Sequence, residues 1–400
     1  MVAALALLGA SRTGATTYYV AKTGSDSANG SLSTPWLTIS RAVGVAVAGD
    51  TVIVEDGTYV ETVNWSHSGS SGSPITFRSQ NKWGAHIAPT SAQINSNLAL
   101  TTQVESTGDY TIIQDFDISG AGDGDSPSNA GIKIQVGADN CKVLGNKIHD
   151  IGYASTRCPI GAAINIAANG AVVDKNYICH CAPPRSAGFL CRTGGHGMYF
   201  NGPSINGTFT NNLLADIAQG FGIQWDSRSA PITGFVVDNN TFTNLGDSVH
   251  RTGGAIYYPC TATGCGMNRF NNNIVANVQN QTMLLYPSGT GYGSLGADQM
   301  YSNLIYNSPA INFNGSDEPT SILQNTVTSN PLFVNYTGDQ TGNYHLQATS
   351  PAINAGTSSG APNHDFDENT RPQGAAYDIG ALEFLASLPA APTNLTATPH

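Results

Sequence analysis

The 400-residue sequence predicts an all-β protein: a right-handed, single-stranded parallel β-helix with an N-terminal helical cap and a C-terminal cap. Three observations predict this fold. A polar anchor, usually asparagine, recurs inside apolar segments at a period typical of solenoids. Apolar residues alternate with a period of two, as in strands. The chain has 45 glycines and only 11% charged residues, which favours strands joined by tight turns.

The repeat is marked by one anchor residue per coil. The anchors are Asp115, Asn146, Asn176, Asn212, Asn240, Asn273, Asn303 and Asn325, at steps of 31, 30, 36, 28, 33, 30 and 22 residues. Such units cannot bury their apolar faces alone, so they must stack. Asparagines stacked at the strand spacing of about 4.8 Å can form a hydrogen-bonded ladder. This favours a parallel β-helix over leucine-rich or α-helical repeats.

A second strand is predicted in each coil, from GIKIQ (131–135) to AINFN (310–314). Alternation turns its apolar residues inward and leaves one residue between them facing outward. The predicted outward column is Lys133, Asn165, Tyr199, Gln224, Tyr257, Leu285 and Asn312. Its middle coils mix aromatic rings with amides, which is typical of a sugar-binding face.

The two ends of the chain predict its domain organisation. Residues 1–15 contain the apolar run VAALALLGA, too short to span a bilayer and interpreted as the remnant of a signal peptide. A packed or disordered tail is the alternative. Residues 16–384 form the β-helix domain, and 385–400 a linker and the start of a fibronectin type III-like module. We therefore expect a secreted, extracellular protein, a monomer within a larger multidomain chain.

The formal net charge is −11. This argues against nucleic acid as a partner, because nucleic-acid binding requires basic patches. No segment predicts membrane insertion. A polyanionic substrate would need local Lys and Arg residues or a bridging cation such as Ca²⁺.

The seven cysteines predict disulfides in protruding loops of a secreted chain. Cys260 and Cys265 close a short loop, and Cys141 is the expected unpaired residue. The remaining four, crowded into two successive coils, are Cys158, Cys179, Cys181 and Cys191. A zinc site is the alternative, although Cys179 and Cys181 are closer together than zinc motifs require. Four acidic residues near the C-terminus predict either hydrogen-bonded turns or a Ca²⁺ site: Asp365, Asp367, Asp378 and Glu383.

Both ends of the predicted domain resemble those of secreted β-helix proteins. Residues 17–80 combine a first strand, a Gly/Ser/Asn loop ending in Pro35-Trp36, and a short amphipathic helix at roughly 38–48. Residues 330–384 resemble the terminal cap of the same class. The chain thus resembles β-helix polysaccharide lyases of the pectate lyase-like superfamily over nearly all of 17–384. The stacked aspartate cluster of calcium-dependent pectate lyases is not evident.

This resemblance implies cleavage of a uronic-acid polysaccharide by β-elimination. A cation must offset the uronate carboxylate, and a base must remove the C5 proton. The candidate catalytic residues are His196 as base, Tyr199 as acid, Arg228 or Arg251 as the counter-charge, and Lys133 as an alternative base. The candidate substrate-binding residues are Asn165, Arg192, Gln224, Asp226 and Tyr257. The candidate Ca²⁺ ligands are Asp123 and Asp125.

Each of these residues also has a purely structural interpretation. His196 can be a histidine hydrogen-bonded to backbone, Tyr199 and Tyr257 packing or sugar-stacking residues, and Lys133 an ordinary surface lysine. Two other classes of function therefore stay open. A glycoside hydrolase would need two carboxylates at a fixed separation, and a non-catalytic carbohydrate-binding or adhesion protein would need none.

Overall fold

The computed structural model describes residues 14–90, 93, 102–120, 130–152, 161–181, 195–201, 204–226, 233–248, 253–260, 266–280, 283–287, 300–313 and 323–386. The predicted signal-peptide remnant therefore lies almost wholly outside the described residues, as does nearly all of the fibronectin-like segment. Within the described chain, three parallel sheets of nine strands each run along a solenoid. The described part contains no helix that is long and apolar enough to cross a bilayer.

Each sheet collects one strand from every coil. Sheet I contains β1 (Thr17–Val20), β2 (Thr51–Val54), β5 (Ile75–Ser79), β8 (Thr111–Gln114), β11 (Lys142–Leu144), β14 (Val172–Asp174), β17 (Thr208–Thr210), β20 (Thr233–Asp238) and β23 (Gly266–Asn271). Sheet II contains β3 (Gly57–Tyr59), β6 (Ala85–Ile87), β9 (Asp117–Ser119), β12 (Lys147–His149), β15 (Tyr177–Cys181), β18 (Leu213–Ile217), β21 (Thr241–Leu245), β24 (Ile274–Ala276) and β27 (Leu304–Tyr306).

Sheet III contains β4 (Val63–Trp65), β7 (Thr102–Ser106), β10 (Ala130–Ile134), β13 (Ala162–Ile166), β16 (His196–Asn201), β19 (Phe221–Asp226), β22 (Gly254–Cys260), β25 (Met283–Pro287) and β28 (Asn312–Phe313). The other described elements are α1 (Ile39–Val43), the parallel pair β26 (Met300–Tyr301) and β29 (Leu323–Gln324), and the antiparallel pair β30 (Phe333–Asn335) and β31 (Asn343–Leu346). The predicted all-β parallel solenoid is confirmed.

A coil has three strands where the sequence predicts two, because each anchor segment bends at its asparagine. Strands β11 and β12, for example, flank Asn146 and belong to different sheets. The residues two positions after the central anchors face inward and are fully buried, as predicted for Ile148, Ile178 and Leu214; Ile305, near the end of the solenoid, is partly buried. The core is therefore a continuous apolar column enclosed by the three sheets.

The asparagine ladder holds this bend together. Asn176 donates from Nδ2 to Asn212 Oδ1 at 3.0 Å and to the Val143 carbonyl at 2.8 Å, and its own Oδ1 accepts from Asn146. The same pattern joins the six buried side chains Asn146, Asn176, Asn212, Asn240, Asn273 and Asn303. Backbone polar groups that would otherwise be buried without partners are thereby satisfied.

The predicted first and last anchors, Asp115 and Asn325, are wrong by one residue. Both have positive φ, 62° and 54°, and so occupy the left-handed turn position before the ladder. In the first coil the ladder position is Phe116, whose backbone N–H donates to Asn146 Oδ1 at 3.0 Å. Aspartate and asparagine tolerate this backbone conformation better than most residues, which explains why the two positions look alike in sequence.

The N-terminal helix is shorter than expected, and the C-terminal segment lies in a different place. Helix α1 has five residues, begins after the N-cap Thr38 and buries Ile39, Ala42 and Val43 in the main core. Residues 331–384 pack laterally on the solenoid. They lie along the outer face of sheet II, where Phe333, Leu346 and Phe366 pack on side chains of strands β15 to β27. The sheet presents an apolar outer face there, which needs this cover.

The acidic residues of this C-terminal layer form hydrogen-bonded turns. Asp378 accepts the backbone N–H groups of Asn354 and Phe384, and Glu383 accepts from the Arg371 guanidinium. Asp365 accepts backbone N–H groups from Asp367 and Asn369. The turn interpretation thus accounts for these carboxylates.

The cysteines differ from the prediction at two positions. Cys141, the expected unpaired residue, carries a free buried thiol, and so do Cys179 and Cys181. Cys179 faces outward under the C-terminal layer, whereas Cys181 belongs to the main core, so the two point to opposite sides of one strand. Cys158, Cys191 and Cys265 lie outside the described residues, as does the side chain of Cys260.

Candidate functional site

The outward column predicted from the sequence is a continuous row on sheet III. Strand pairing places Lys133 beside Asn165, Asn165 beside Tyr199, Tyr199 beside Gln224, and Gln224 beside Tyr257. Successive strands are about 4.8 Å apart, so five polar or aromatic side chains line roughly 20 Å of the solenoid. All five are half-buried. We call this set the sheet III row.

The next member after Tyr257 is Leu284, not the predicted Leu285. Tyr257 pairs with Leu284, which in turn pairs with Asn312. The predicted register is therefore wrong by one residue at β25, although it is right on either side. No regular spacing in the sequence marks this slip.

Glu105 continues the row at its other end, and sequence reasoning missed it. It pairs with Lys133 in register and is 2% exposed. Its Oε1 lies 3.7 Å from Lys133 Nζ and accepts a hydrogen bond from Gln135 Nε2. Its Oε2 is buried without a hydrogen-bond partner. The alternation of residues in Thr102–Ser106 matches that of the later coils and could have revealed Glu105. This strand, however, precedes the first coil that the anchor repeat identifies.

Four rings form an aromatic surface over the middle of the row. His196 stacks on Tyr199 with ring centroids 5.6 Å apart and on Phe221 at 6.1 Å. Phe221 stacks in turn on Tyr257 at 5.0 Å. Phe221 was not predicted, because simple alternation from Ile223 and Trp225 would turn it inward.

A corner in the strands explains why alternation fails here. Gly197 and Met198 both face the interior, since a Cβ on Gly197 would lie 2.7 Å from the Gly222 carbonyl oxygen and 2.7 Å from Ile217 Cδ1. Met198 itself is fully buried. Two consecutive inward residues bring His196 to the same side as Tyr199. Only glycine fits the inner side of this corner.

His196 is buried, its Nδ1 accepts a backbone hydrogen bond, and its Nε2 has no hydrogen-bond partner among the described residues. It is 2% exposed, and its Nδ1 accepts the Phe221 backbone N–H at 3.1 Å. Burial lowers the pKa of His196 to about 3, so the ring is neutral near pH 7. A neutral imidazole that accepts at Nδ1 carries its proton on Nε2. The predicted role of His196 as a base therefore does not suit this arrangement.

The other predicted site residues are placed only in part. Asn165 lies between Lys133 and Tyr199, and its Oδ1 is buried without a partner. Asp226 is in register with Asn201 at the end of β19, but its side chain lies outside the described part of the chain. Five further candidates lie wholly outside the described residues: Asp123, Asp125, Arg192, Arg228 and Arg251.

A second polar cluster lies on the outer face of sheet II. His149 forms hydrogen bonds through Nε2 to Asp117 Oδ1 at 2.8 Å and through Nδ1 to Asp150 Oδ2 at 2.6 Å. Asp150 Oδ1 is 2.6 Å from His180 Nδ1. Burial alone lowers the pKa of His149, but the hydrogen bonds to the two carboxylates outweigh it and raise the pKa to about 9. These residues are about 30 positions apart in sequence, so only coil stacking brings them together.

Comparison with known proteins supports the fold. Residues 18–205 match the family model described as "Pel9A-like, right handed beta helix region". The protein YwoF of Bacillus subtilis (strain 168), named as uncharacterized, is 47% identical over 60 residues, which are 15% of this chain and 13% of that protein. The chain thus spans only a small part of that relative.

Two solved structures are similar to this chain at low sequence identity. An alginate lyase from Paenibacillus sp. str. FPU-7 is 15% identical, with a TM-score of 0.54 over 78% of this chain and 98% of that one. Pectate lyase Pel9A is 17% identical, with a TM-score of 0.47 over 92% and 96%. The chain is therefore a right-handed parallel β-helix that resembles the pectate lyase-like proteins in fold.

Proposed function

We propose that this protein is a secreted, extracellular polysaccharide lyase that cleaves a uronic-acid polysaccharide by β-elimination on the sheet III row. The supporting observation is that Lys133 and Tyr199 flank Asn165 on three neighbouring strands. A cation and a phenol thus face the same side, one strand on each side of a short amide. Lysine and tyrosine are long side chains, so both can reach one sugar bound above Asn165.

Each group answers one requirement of the chemistry. The Lys133 ammonium offsets the uronate carboxylate, without which the C5 proton is not acidic enough. Tyr199, as the phenolate, accepts the C5 proton; the C4–O bond then breaks as the C4–C5 double bond forms. The phenol returns the proton to the leaving glycosidic oxygen, so that the proton and the electron pair are both accounted for. Gln224 and Tyr257 extend the row for the neighbouring sugar.

Calcium does not enter these steps. Asn64 Oδ1, on the strand beside Glu105, is buried without a hydrogen-bond partner. Glu105 Oε2 and Asn165 Oδ1 are likewise without partners and lie on strands two spacings apart, about 10 Å. Ca²⁺–oxygen bonds are about 2.3–2.6 Å long, so one ion cannot bind both. A Ca²⁺ site in this region would depend on Asp123 and Asp125.

A non-catalytic carbohydrate-binding protein is the second candidate, and the aromatic surface supports it. The half-buried rings of Tyr199, Phe221 and Tyr257 offer aromatic surface on which a sugar can pack without any reaction. A glycoside hydrolase is less favoured. It requires two carboxylates, and among the described side chains of the row only Glu105 has one.

The direct test is to incubate the protein with polygalacturonate, alginate and glycosaminoglycans and follow the absorbance of unsaturated products. The lyase proposal expects an increase on at least one polyuronate and none on a neutral glucan. Reducing ends released without absorbance would indicate a hydrolase. Saturable binding without any product would indicate the binding protein and would end the lyase proposal.

A further inference from the structure

Three potential metal ligands meet on the outer face of sheet II, away from the sheet III row. His86 in β6 and Asp117 in β9 are register partners on adjacent strands, and His149 lies on β12, one coil further on. The ligand atoms of the three side chains all lie within 4.8 Å of one another. All three side chains are half-buried, so they are held in place and remain accessible from solvent.

The surrounding hydrogen bonds orient both imidazoles. Asp150 holds His149 at Nδ1, at 2.6 Å, and leaves Nε2 directed at Asp117. Asp150 is itself held by His180 Nδ1 at 2.6 Å. A carboxylate behind a histidine in this way is the usual outer partner of a metal-binding histidine, because it fixes the ring and its tautomer. The His86 and His149 rings lie nearly parallel, 20° apart, with centroids separated by 6.2 Å.

We infer that His86, Asp117 and His149 form a binding site for a divalent metal ion of the transition series or zinc, and that Zn²⁺ is the ion that fits this site best. Two imidazole nitrogens and one carboxylate suit zinc, whereas Ca²⁺ prefers oxygen ligands alone. In a tetrahedral site with bonds of about 2.0–2.2 Å, ligand atoms are roughly 3.3 Å apart. His149 Nε2 and Asp117 Oδ1, now 2.8 Å apart, need to separate only slightly.

The ion takes the place of the proton that His149 and Asp117 share. Ser119, whose hydroxyl lies 2.7 Å from His86 Nε2, gives up that hydrogen bond when the nitrogen binds the metal. Three protein ligands leave one position of a tetrahedron for water or an external ligand. Because the ligands come from three successive coils, the ion also links these coils.

The test uses the full chain without a polyhistidine tag, freed of metal by chelator dialysis and titrated with ZnCl₂ by calorimetry. We expect one Zn²⁺ per chain in the wild type and at least tenfold weaker binding in His86→Ala and His149→Ala. The matched control is His345→Ala. His345 also pairs with an aspartate, Asp367, at 2.7 Å, but belongs to no group of three metal-binding side chains in the described part of the chain.

A second measurement does not depend on the folding of variants. X-ray absorption on the zinc-loaded wild type should show two imidazole ligands in the first shell. A shell of oxygen atoms only would overturn the inference, and so would unchanged affinity in a folded His149→Ala. No Zn²⁺ binding by the wild type would mean that the cluster is an ion-pair network only. None of these results depends on lyase activity.

Discussion

Lys133 and Glu105 are register partners on adjacent strands of sheet III, with the lysine Nζ 3.7 Å from the carboxylate Oε1. Glu105 is almost fully buried, whereas the lysine side chain is 21% exposed. The carboxylate thus fixes the cation at the end of the row while leaving part of it accessible to a ligand. This arrangement is the reason why the proposed mechanism assigns the uronate carboxylate to Lys133.

Lys133→Met should therefore abolish most of the proposed activity. Removing one preorganised charge that stabilises the transition state typically costs about 100-fold or more in rate. Initial rates of unsaturated-product formation measure the effect. Lys142→Met is the matched control, because Lys142 is exposed and lies on sheet I. Equal rates for the two variants would remove Lys133 from the site.

Tyr199→Phe and Tyr257→Phe should separate chemistry from sugar packing. Both substitutions keep the ring and remove the hydroxyl. If Tyr199 transfers the proton, its variant loses about 100-fold or more in kcat with little change in KM. Tyr257→Phe keeps its stacking on Phe221 and should retain most of its turnover. Similar, small effects at both positions would favour the binding protein over the lyase.

Much of the fold could be predicted because its determinants are local and repeated. Ladder asparagines such as Asn176 and Asn212 sit inside apolar segments, and period-two alternation identifies the inward residues around them. Asp115 and Asn325 show the limit of this pattern. The turn position before the ladder favours the same residue types as the ladder itself, so the sequence alone does not separate them.

The candidate site could be predicted only where the repeat sets the register. Lys133, Tyr199 and Tyr257 align because each directly follows an inward apolar residue, and those inward residues are in register from coil to coil. Glu105 was missed because it precedes the first recognised coil. Phe221 was missed because Gly197 and Gly222 face inward and form a corner, which breaks the alternation. The lateral position of the C-terminal layer depends on apolar surface outside sheet II, which no local motif reveals.

His196 should make stability depend on pH in the acidic range. Its folded-state pKa of about 3 lies below the value of about 6.5 for an unfolded chain. On acidification the unfolded state therefore binds the proton at a higher pH than the folded state does. The contribution of His196 to the free energy of unfolding is greatest above pH 6.5 and falls as the pH drops towards 3. At pH 4.5 this amounts to roughly 2–3 kcal/mol.

His196→Gln removes this titration while keeping an acceptor for the Phe221 N–H. Urea unfolding of the wild type and the variant at pH 7.5 and pH 4.5 measures the difference. We expect the wild type to lose more of its free energy of unfolding than the variant does on acidification. An identical loss in both proteins would mean that His196 is not buried as a neutral ring.

Replacing a central ladder asparagine should destabilise the solenoid strongly. Asn240→Ala removes the acceptor of Asn212 Nδ2, at 2.9 Å, and the donor to the Phe209 carbonyl, also at 2.9 Å. Buried polar groups left without partners cost about 1–3 kcal/mol each, so we expect a total loss of about 3 kcal/mol or more in chemical unfolding. The control Asn307→Gly removes one exposed bond at a positive-φ position that suits glycine. A loss no larger than that of the control would contradict the ladder's role.

Arg371→Met should loosen the C-terminal layer, because it leaves a buried carboxylate without its cation. Arg371 and Glu383 side chains are both 0% exposed and 2.6 Å apart, and Arg371 also donates to Asn211 Oδ1 at 3.1 Å and to the Gly380 carbonyl at 2.8 Å. Breaking one side of such a pair typically costs about 3–5 kcal/mol. Limited proteolysis and urea unfolding should both detect the loss. The double variant Arg371→Met/Glu383→Met should recover part of it, since no unpaired charge then remains buried. The opposite outcome is that the double variant loses as much free energy of unfolding as Arg371→Met and Glu383→Met do when their separate losses are added. In that case the ion pair is not what holds the layer to sheet II.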